Sequence, residues 1–306
     1  MNPERGWTGT ANHDTRPTDY PHNYSTYFSP SYRFRRLKAL LDADDAVTVD
    51  DHWAAMRDIK NLQAARVAPI LVPLLKAANH ADLATTLEGW DHKDAASRRE
   101  PILYQELYRA LARSTFEDEL GPALTTDMLG SWYFWQERFD TLLLDEDSPW
   151  FDDVRTPERE TLQDVVAVAA SAATDALAKY EAGSVWGDVH RVRFVSPLRR
   201  SGFGSDWLGG GDYPMDGSGE TLMRARYGFS EPYDVAFFAS FMMVADLAES
   251  DHLVTALPGG VAARVLNDHY DDQIPGWHAG DQHRTPMTRS AAQAAAQSTL
   301  ILAPGE

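Results

Sequence analysis

Apolar positions follow helical spacing early in the chain and strict alternation late in it. The first stretch, Met1 to Pro30, is rich in Pro, Asn, Tyr, Ser and Thr without a sustained period, and reads as an extended loop. From Phe34, Leu37, Leu40 and Leu41 recur at helix spacing. Thr48 followed by Asp51 resembles a capping box, and Trp53, Met56, Ile59 and Leu62 then recur every three residues, which predicts a helix from Thr48. Pro69 and Pro73, inside the apolar stretch Val67 to Leu75, predict a break or kink there. Leu83 to Trp90 and Ile102 to Leu111 read as further helices, the second with Leu103, Leu107 and Leu111 on one face. Thr156-Pro157-Glu158 combines a cap residue, Pro in the first turn and acids at the positive dipole end, which predicts another helix start. Leu162, Val165, Val166, Ala169, Ala173, Ala176 and Leu177 follow as its apolar face, and Gly183 is placed to end it.

After Gly183 the period becomes two. His190, Val192 and Phe194 alternate with Arg191 and Arg193, as in a half-exposed strand. Tyr233 to Val244 is apolar almost throughout, which suits a strand buried on both faces, although a buried helix has the same periodicity signature. His252 to Leu257 reads as another strand ending at Pro258-Gly259-Gly260. Helices followed by strands argue for the α+β class, helix-rich in its first half and strand-rich at its C-terminal end. No Pro/Gly/Ser linker marks a boundary, so one intertwined unit is expected.

With 306 residues, 43% of them hydrophobic and 11% aromatic, the chain is long enough to bury a sizeable core, which excludes a disordered or fibrous protein. A formal charge of -18, from 46 acidic against 28 basic residues, repels a phosphate backbone, and no basic stripe with interleaved aromatics offsets it. Nucleic acid is therefore not an expected partner. Lysine occurs only as Lys38, Lys60, Lys76, Lys93 and Lys179, so arginine supplies most of the positive charge while Asp leads the acids, a balance that suggests a salt-adapted, halophile-like surface. The absence of Cys removes disulfides, thiolate catalysis and Cys-based zinc sites, and says little about compartment. Val165 to Ala178 and Val235 to Ala248 are the longest apolar runs and too short to span a membrane, and Met1 to Gly6 has no secretory signature; a soluble protein of undetermined compartment is expected.

Few chemical motifs stand out. Gly209-Gly210-Gly211 is followed neither by Lys-Ser/Thr nor by a helical pattern, which argues against a nucleotide site. Asp268 to Asp272 and His278 to His283 crowd His and Asp together at spacings that match no standard metal site, and read as solvated surface; no metal and no cofactor are expected. No Gly-x-Ser-x-Gly elbow is present, and Gly202-Phe203-Gly204-Ser205 and Gly217-Ser218-Gly219 read as loops. Trp132, Tyr133, Phe134, Trp135, Phe139 and Trp150 read as core packing between helices rather than a ligand-stacking platform.

Several stretches taken together resemble the penicillin acylase family of N-terminal nucleophile hydrolases. They begin with Asn2-Pro3, Gly6-Trp7, Thr10-Ala11-Asn12 and Asp19-Tyr20-Pro21, followed by Tyr32 to Leu37 with Leu40-Leu41. The helix from Thr48, Leu87 to Asp91, Thr156 to Thr161, Trp186 to His190, Gly211 to Pro214 and Gly217 to Thr221 fall in the family's order, and Leu257 to Gly260, His269 to Gln273 and Trp277 complete it. Each motif is weak alone, and it is the order that carries the resemblance, which covers almost the whole chain.

The resemblance implies an αββα fold of which residues 1-306 form the C-terminal part of the large (β) subunit. On that reading 1-33 is an active-site loop segment, 34-183 is mainly helical and 184-306 is the strand-rich part completing the sheet. It further implies a small-molecule amide substrate, such as an acylated β-lactam nucleus or homoserine lactone, cleaved through an acyl-enzyme by an N-terminal Ser, Thr or Cys whose own α-amine is the base. Asn12 matches the family asparagine that donates its amide to the oxyanion, and Arg33 matches an arginine that supports it. No substrate-binding residue is implied. Where a second Asn often follows the first, His13 stands here, and Met242 stands where the family frequently has Arg. The family's calcium ligand would fall near Asn23 or Tyr24, neither a carboxylate, so calcium is not carried over. Met1 cannot be the nucleophile, so the missing α subunit and the N-terminal part of the β subunit are the implied partners, and the chain alone is expected to be inactive. The rival reading is a truncated, catalytically inactive remnant that acts as a folding or binding module.

Overall fold

A computed structural model describes residues 3–43, 46–131, 135–195, 209–230 and 233–305. The chain divides into two compact units, one from Met1–Asp45, Asp58–Phe194 and Gly211–Phe238, the other from Ala46–Arg57, Val195–Gly210 and Ala239–Glu306. Helices dominate the first half, and the strands among the described residues all follow His190 and pair antiparallel in small sheets.

The first unit is built on α1 (Tyr32–Leu41), α3 (Leu62–Ala77), α4 (Ala81–Glu88), α5 (Glu100–Gly130), α6 (Gln136–Leu142) and α7 (Leu162–Leu177). Its core lies where α3, α5 and α7 meet, around Leu71, Leu75, Leu107, Leu111, Val166 and Ala170, all fully buried. Leu103, Leu107 and Leu111 share the buried face expected of them. The helix continues beyond them to Gly121, whose φ of 72° ends one helical run, while Pro122 opens the next. Trp135 and Phe139 pack in the core, whereas Trp150 is 41% exposed, and Trp132, Tyr133 and Phe134 lie outside the described residues.

Two helix boundaries differ from the sequence pattern. The expected break at Pro69 and Pro73 falls instead between α2 (Val49–Met56) and α3, where Asn61 starts a new helix by accepting the Ala64 N–H. Both prolines sit inside α3 on its exposed side, opposite the buried Val67, Leu71 and Leu75. The helix expected from Thr156 begins five residues later, with a capping box between Thr161 and Asp164. Thr156 is held in a loop instead: its hydroxyl donates to Glu160, whose carboxylate also accepts the Asp153 N–H. The same helix ends at Leu177, ahead of Gly183.

β1 (Arg191–Phe194) pairs with β2 (Gly211–Pro214), and β3 (Ala225–Arg226) with β4 (Phe237–Phe238). One helical turn, α8 (Trp186–Val189), precedes β1, and Gly187 lets it approach closely, since a Cβ there would lie 2.8 Å from Pro214 and 3.0 Å from Ala96. The alternation read at His190 to Phe194 holds, with His190 and Val192 buried and Arg193 exposed.

In the second unit, β5 (Met242–Ala245), β6 (Leu253–Ala256) and β7 (His283–Thr285) form a three-stranded antiparallel sheet. The expected single buried strand from Tyr233 to Val244 is therefore two short strands, β4 and β5, in different sheets and different units. Phe237, Phe241 and Met243 are exposed, so the apolar run is not buried on both faces. Strand β6, buried along its length, matches its expected position. Trp53 of α2 donates its indole N–H to Gly280 at 2.9 Å, and Trp277 donates its own to Ser240 at 3.0 Å, which ties α2 and the short helix Ile274–Ala279 into this unit.

Candidate active site

Asn12 and Arg33, taken from the sequence on resemblance, are in direct contact. Asn12 lies in the loop before α1 with φ at 65°, a left-handed conformation that Asn tolerates better than most side chains. Its backbone is fixed at both ends: the N–H donates to the Thr10 hydroxyl at 3.2 Å, and the carbonyl accepts the Ser29 N–H at 2.8 Å. Arg33, in the first turn of α1, is only 8% exposed. Its Nη2 donates to the Ala11 carbonyl at 2.7 Å, the Ser29 hydroxyl at 3.0 Å and Asn12 Oδ1 at 3.1 Å. A guanidinium only donates, so it selects the oxygen of the amide and turns the Asn12 NH2 away from itself. Asn12 is exposed, and among the described residues that NH2 has no hydrogen-bond partner. The result is an oriented, uncharged donor at the surface.

The start of α1 is itself held by α6. Glu137 accepts the Ser31 N–H at 2.7 Å and also the Ser31 hydroxyl, placing a carboxylate at the positive end of the helix that carries Arg33. Tyr32, buried, donates to Asp140 at 2.8 Å; Tyr108 and Gln63 donate to the same carboxylate at 2.7 Å and 3.0 Å. Burial still pushes Asp140 up to about 6. His13 stacks on Phe34 with ring centroids 3.6 Å apart, and burial lowers its pKa against the pull of Asp14. It fills the wall beside Asn12.

Glu220 belongs to this neighbourhood although only its motif, and no role, was legible in the sequence. It is 8% exposed, one carboxylate oxygen has no hydrogen-bond partner, and burial pushes its pKa to about 7 while Arg33 and Arg224 pull it down. The loop that holds it needs Gly217, at φ 84°, because a Cβ there would lie 2.1 Å from the Met223 carbonyl. An acid in a glycine-rich loop, flanked by Arg224 and Arg226, is the signal that points to it. Another buried acid of the unit, Asp94, accepts the Asn61 amide at 2.9 Å, and burial raises it to about 7.

Asn23 and Tyr24 are exposed in the same loop. Of the His and Asp crowd late in the chain, His269 pairs with Asp272 at 2.8 Å on the surface. Among the described residues, the side chains able to share a cation are Asp246, Glu249 and His252 of the second unit. The His252 ring stands 3.6 Å and 3.5 Å from the two carboxylates. No helix among the described residues is long and apolar enough to cross a membrane.

The family model described as penicillin amidase matches residues 1–294. An acyl-homoserine lactone acylase QuiP of Pseudomonas aeruginosa is 26% identical over 92% of this chain and 37% of its own length. Penicillin acylase 2 proenzyme of a Pseudomonas species is 27% identical over 98% of this chain and 39% of its own length. The solved structure of a thermostable penicillin G acylase from Alcaligenes faecalis superposes with a TM-score of 0.64 at 16% identity, covering 100% of this chain and 58% of the other. The chain thus spans about two fifths of the length of the curated relatives it matches.

Proposed function

The chain belongs to the penicillin amidase family, and from that premise we propose that it supplies the oxyanion-binding side of an amide hydrolase that works through an acyl-enzyme. In this reading the nucleophile lies outside these 306 residues, on the polypeptide that makes up the remaining length of the relatives. The observation that carries the reading is the Asn12 amide, its oxygen anchored by buried Arg33 and its NH2 directed outward. Such a donor stabilises the negative oxygen of a tetrahedral intermediate without changing its own protonation. The loop bearing it also leaves Tyr20, Tyr24 and Tyr27 exposed at 46%, 61% and 49%, apolar surface of the kind a covering polypeptide uses. The αββα layering of the family belongs, on this reading, to the completed molecule.

The test is complementation. Co-expression with an acylase segment carrying the small subunit and the nucleophile is expected to yield amide hydrolysis, and Asn12→Ala to lower its rate by roughly 10²-fold or more. An alanine variant as active as the parent would sink the assignment. We propose in addition that the acidic surface is salt-adapted. A thermal midpoint that rises with added salt supports this, since screening relieves the self-repulsion of a -18 chain; full stability in low salt counts against it.

A further inference from the structure

The second unit carries a group of side chains that the oxyanion chemistry does not use. Asp246, Glu249 and His252 stand three residues apart on the connection between β5 and β6, and their ligand atoms all lie within 4.8 Å of one another. The spacing matches no standard metal motif, and only the hairpin brings the three side chains together. The connection is tied across itself: the Asp246 N–H donates to the His252 carbonyl at 3.0 Å, and the His252 N–H to the Glu249 carbonyl at 2.9 Å. Each carboxylate has one oxygen engaged and the other turned inward. Asp246 Oδ1 accepts the Ala248 N–H at 2.8 Å and Glu249 Oε1 accepts from Arg284 of β7 at 2.9 Å, while Oδ2 and Oε2 face His252 Nδ1. The remaining acid of the connection, Asp251, is turned to the Met287 and Thr288 N–H groups.

The separations distinguish two accounts of this group. At 3.6 Å and 3.5 Å the imidazole nitrogen stands too far from either oxygen for a good hydrogen bond. Donors bound at about 2.0–2.1 Å to one tetrahedral ion stand roughly 3.3 Å from each other, which is close to the spacing found. We propose that Asp246, Glu249 and His252 form a binding site for a divalent transition ion of the zinc class, with water completing the coordination. One imidazole nitrogen with two carboxylates suits such an ion better than calcium or magnesium, which take oxygen ligands in larger or fully octahedral sets. The two negative charges match the charge of the ion, and the partners on Oδ1 and Oε1 orient the ligating oxygens from behind. Glu249 is exposed and the other two are half-buried, so the ion enters from solvent. Ligands at both ends of the connection make it a clamp on the hairpin.

Titration of the intact, chelator-treated chain with zinc chloride, followed by calorimetry, tests the site, and no part of the test depends on Asn12 or on a complementing segment. One tight equivalent per chain is expected, with a thermal midpoint that rises as zinc is added. His252→Ala and, separately, Asp246→Asn should weaken that binding by at least about tenfold, the loss that follows even from removing an outer partner of a ligand. His269→Ala, which removes the surface pair of His269 with Asp272, should leave it unchanged. Cobalt(II) gives a second readout: the parent should show the strengthened visible absorption of a four-coordinate ion, and His252→Ala should lose it. Should His252→Ala fail to fold, Asp246→Asn and the cobalt spectrum of the parent still decide. Several weak equivalents, calcium or magnesium held as tightly as zinc, a cobalt spectrum no different from that of the hydrated ion, or undiminished binding in His252→Ala would each mean an adventitious ion only and overturn the proposal.

Discussion

Asn12 combines a strained backbone with a useful side chain, and the two properties separate by substitution. At φ 65° a glycine adopts the native conformation freely, so Asn12→Gly should keep the loop while removing the donor. We expect its stability to change by only a few tenths of a kcal/mol, with complemented activity falling as far as in Asn12→Ala. Stability lost together with activity would mean that the side chain serves the loop instead. Asn12 and Arg33 were legible only through resemblance, because their contact depends on an irregular loop that no period encodes. Glu220 escaped for a related reason: its significance is its nearness to Arg33, which folding creates across a large separation in sequence.

At the scale of elements, amphipathic spacing located α5 and α7, each of which buries one stripe against the same core, and also α1, whose Leu37, Leu40 and Leu41 are only half-buried. Boundaries were less legible where local signals competed. Thr156-Pro157-Glu158 has the composition of a helix start, yet its side chains satisfy loop backbone groups, and Thr161 with Asp164 takes the cap. Pro69 and Pro73 carry a strong breaking signal that α3 overrides by keeping both on its wet side while Leu71 and Leu75 anchor the other. That accommodation should still have a cost: Pro73→Ala, which restores a backbone donor in an exposed helical position, is expected to raise the unfolding free energy by roughly 1 to 3 kcal/mol. An unchanged or lower urea midpoint would show that the loss of Pro's stiffness in the unfolded chain outweighs the gain.

For the whole molecule, the buried acids set the response to pH. Asp94, Asp140 and Glu220 stand at about 7, about 6 and about 7 in the folded chain, each raised by burial above the ordinary value it regains on unfolding. Between about pH 4 and about pH 7 these three groups hold more protons in the fold than in the unfolded chain, outweighing buried His190, pushed down to about 4, which holds fewer, so the unfolding free energy falls as pH rises through that window. Urea midpoints should be higher near pH 5 than near pH 8, and Asp140→Asn should flatten the difference; a higher midpoint near pH 8 would refute the account. The class was legible at this scale from the order of periods, whereas the two units were not, because the chain passes between them without a change of composition at the crossings. The interleaving has a consequence for how such a protein is handled and inherited. Each unit draws on separated stretches, with Ala46–Arg57 given to the second from within the first. Neither can be cloned as one contiguous reading frame, and a gene fusion, duplication or deletion with a single breakpoint cannot transmit one intact without the other.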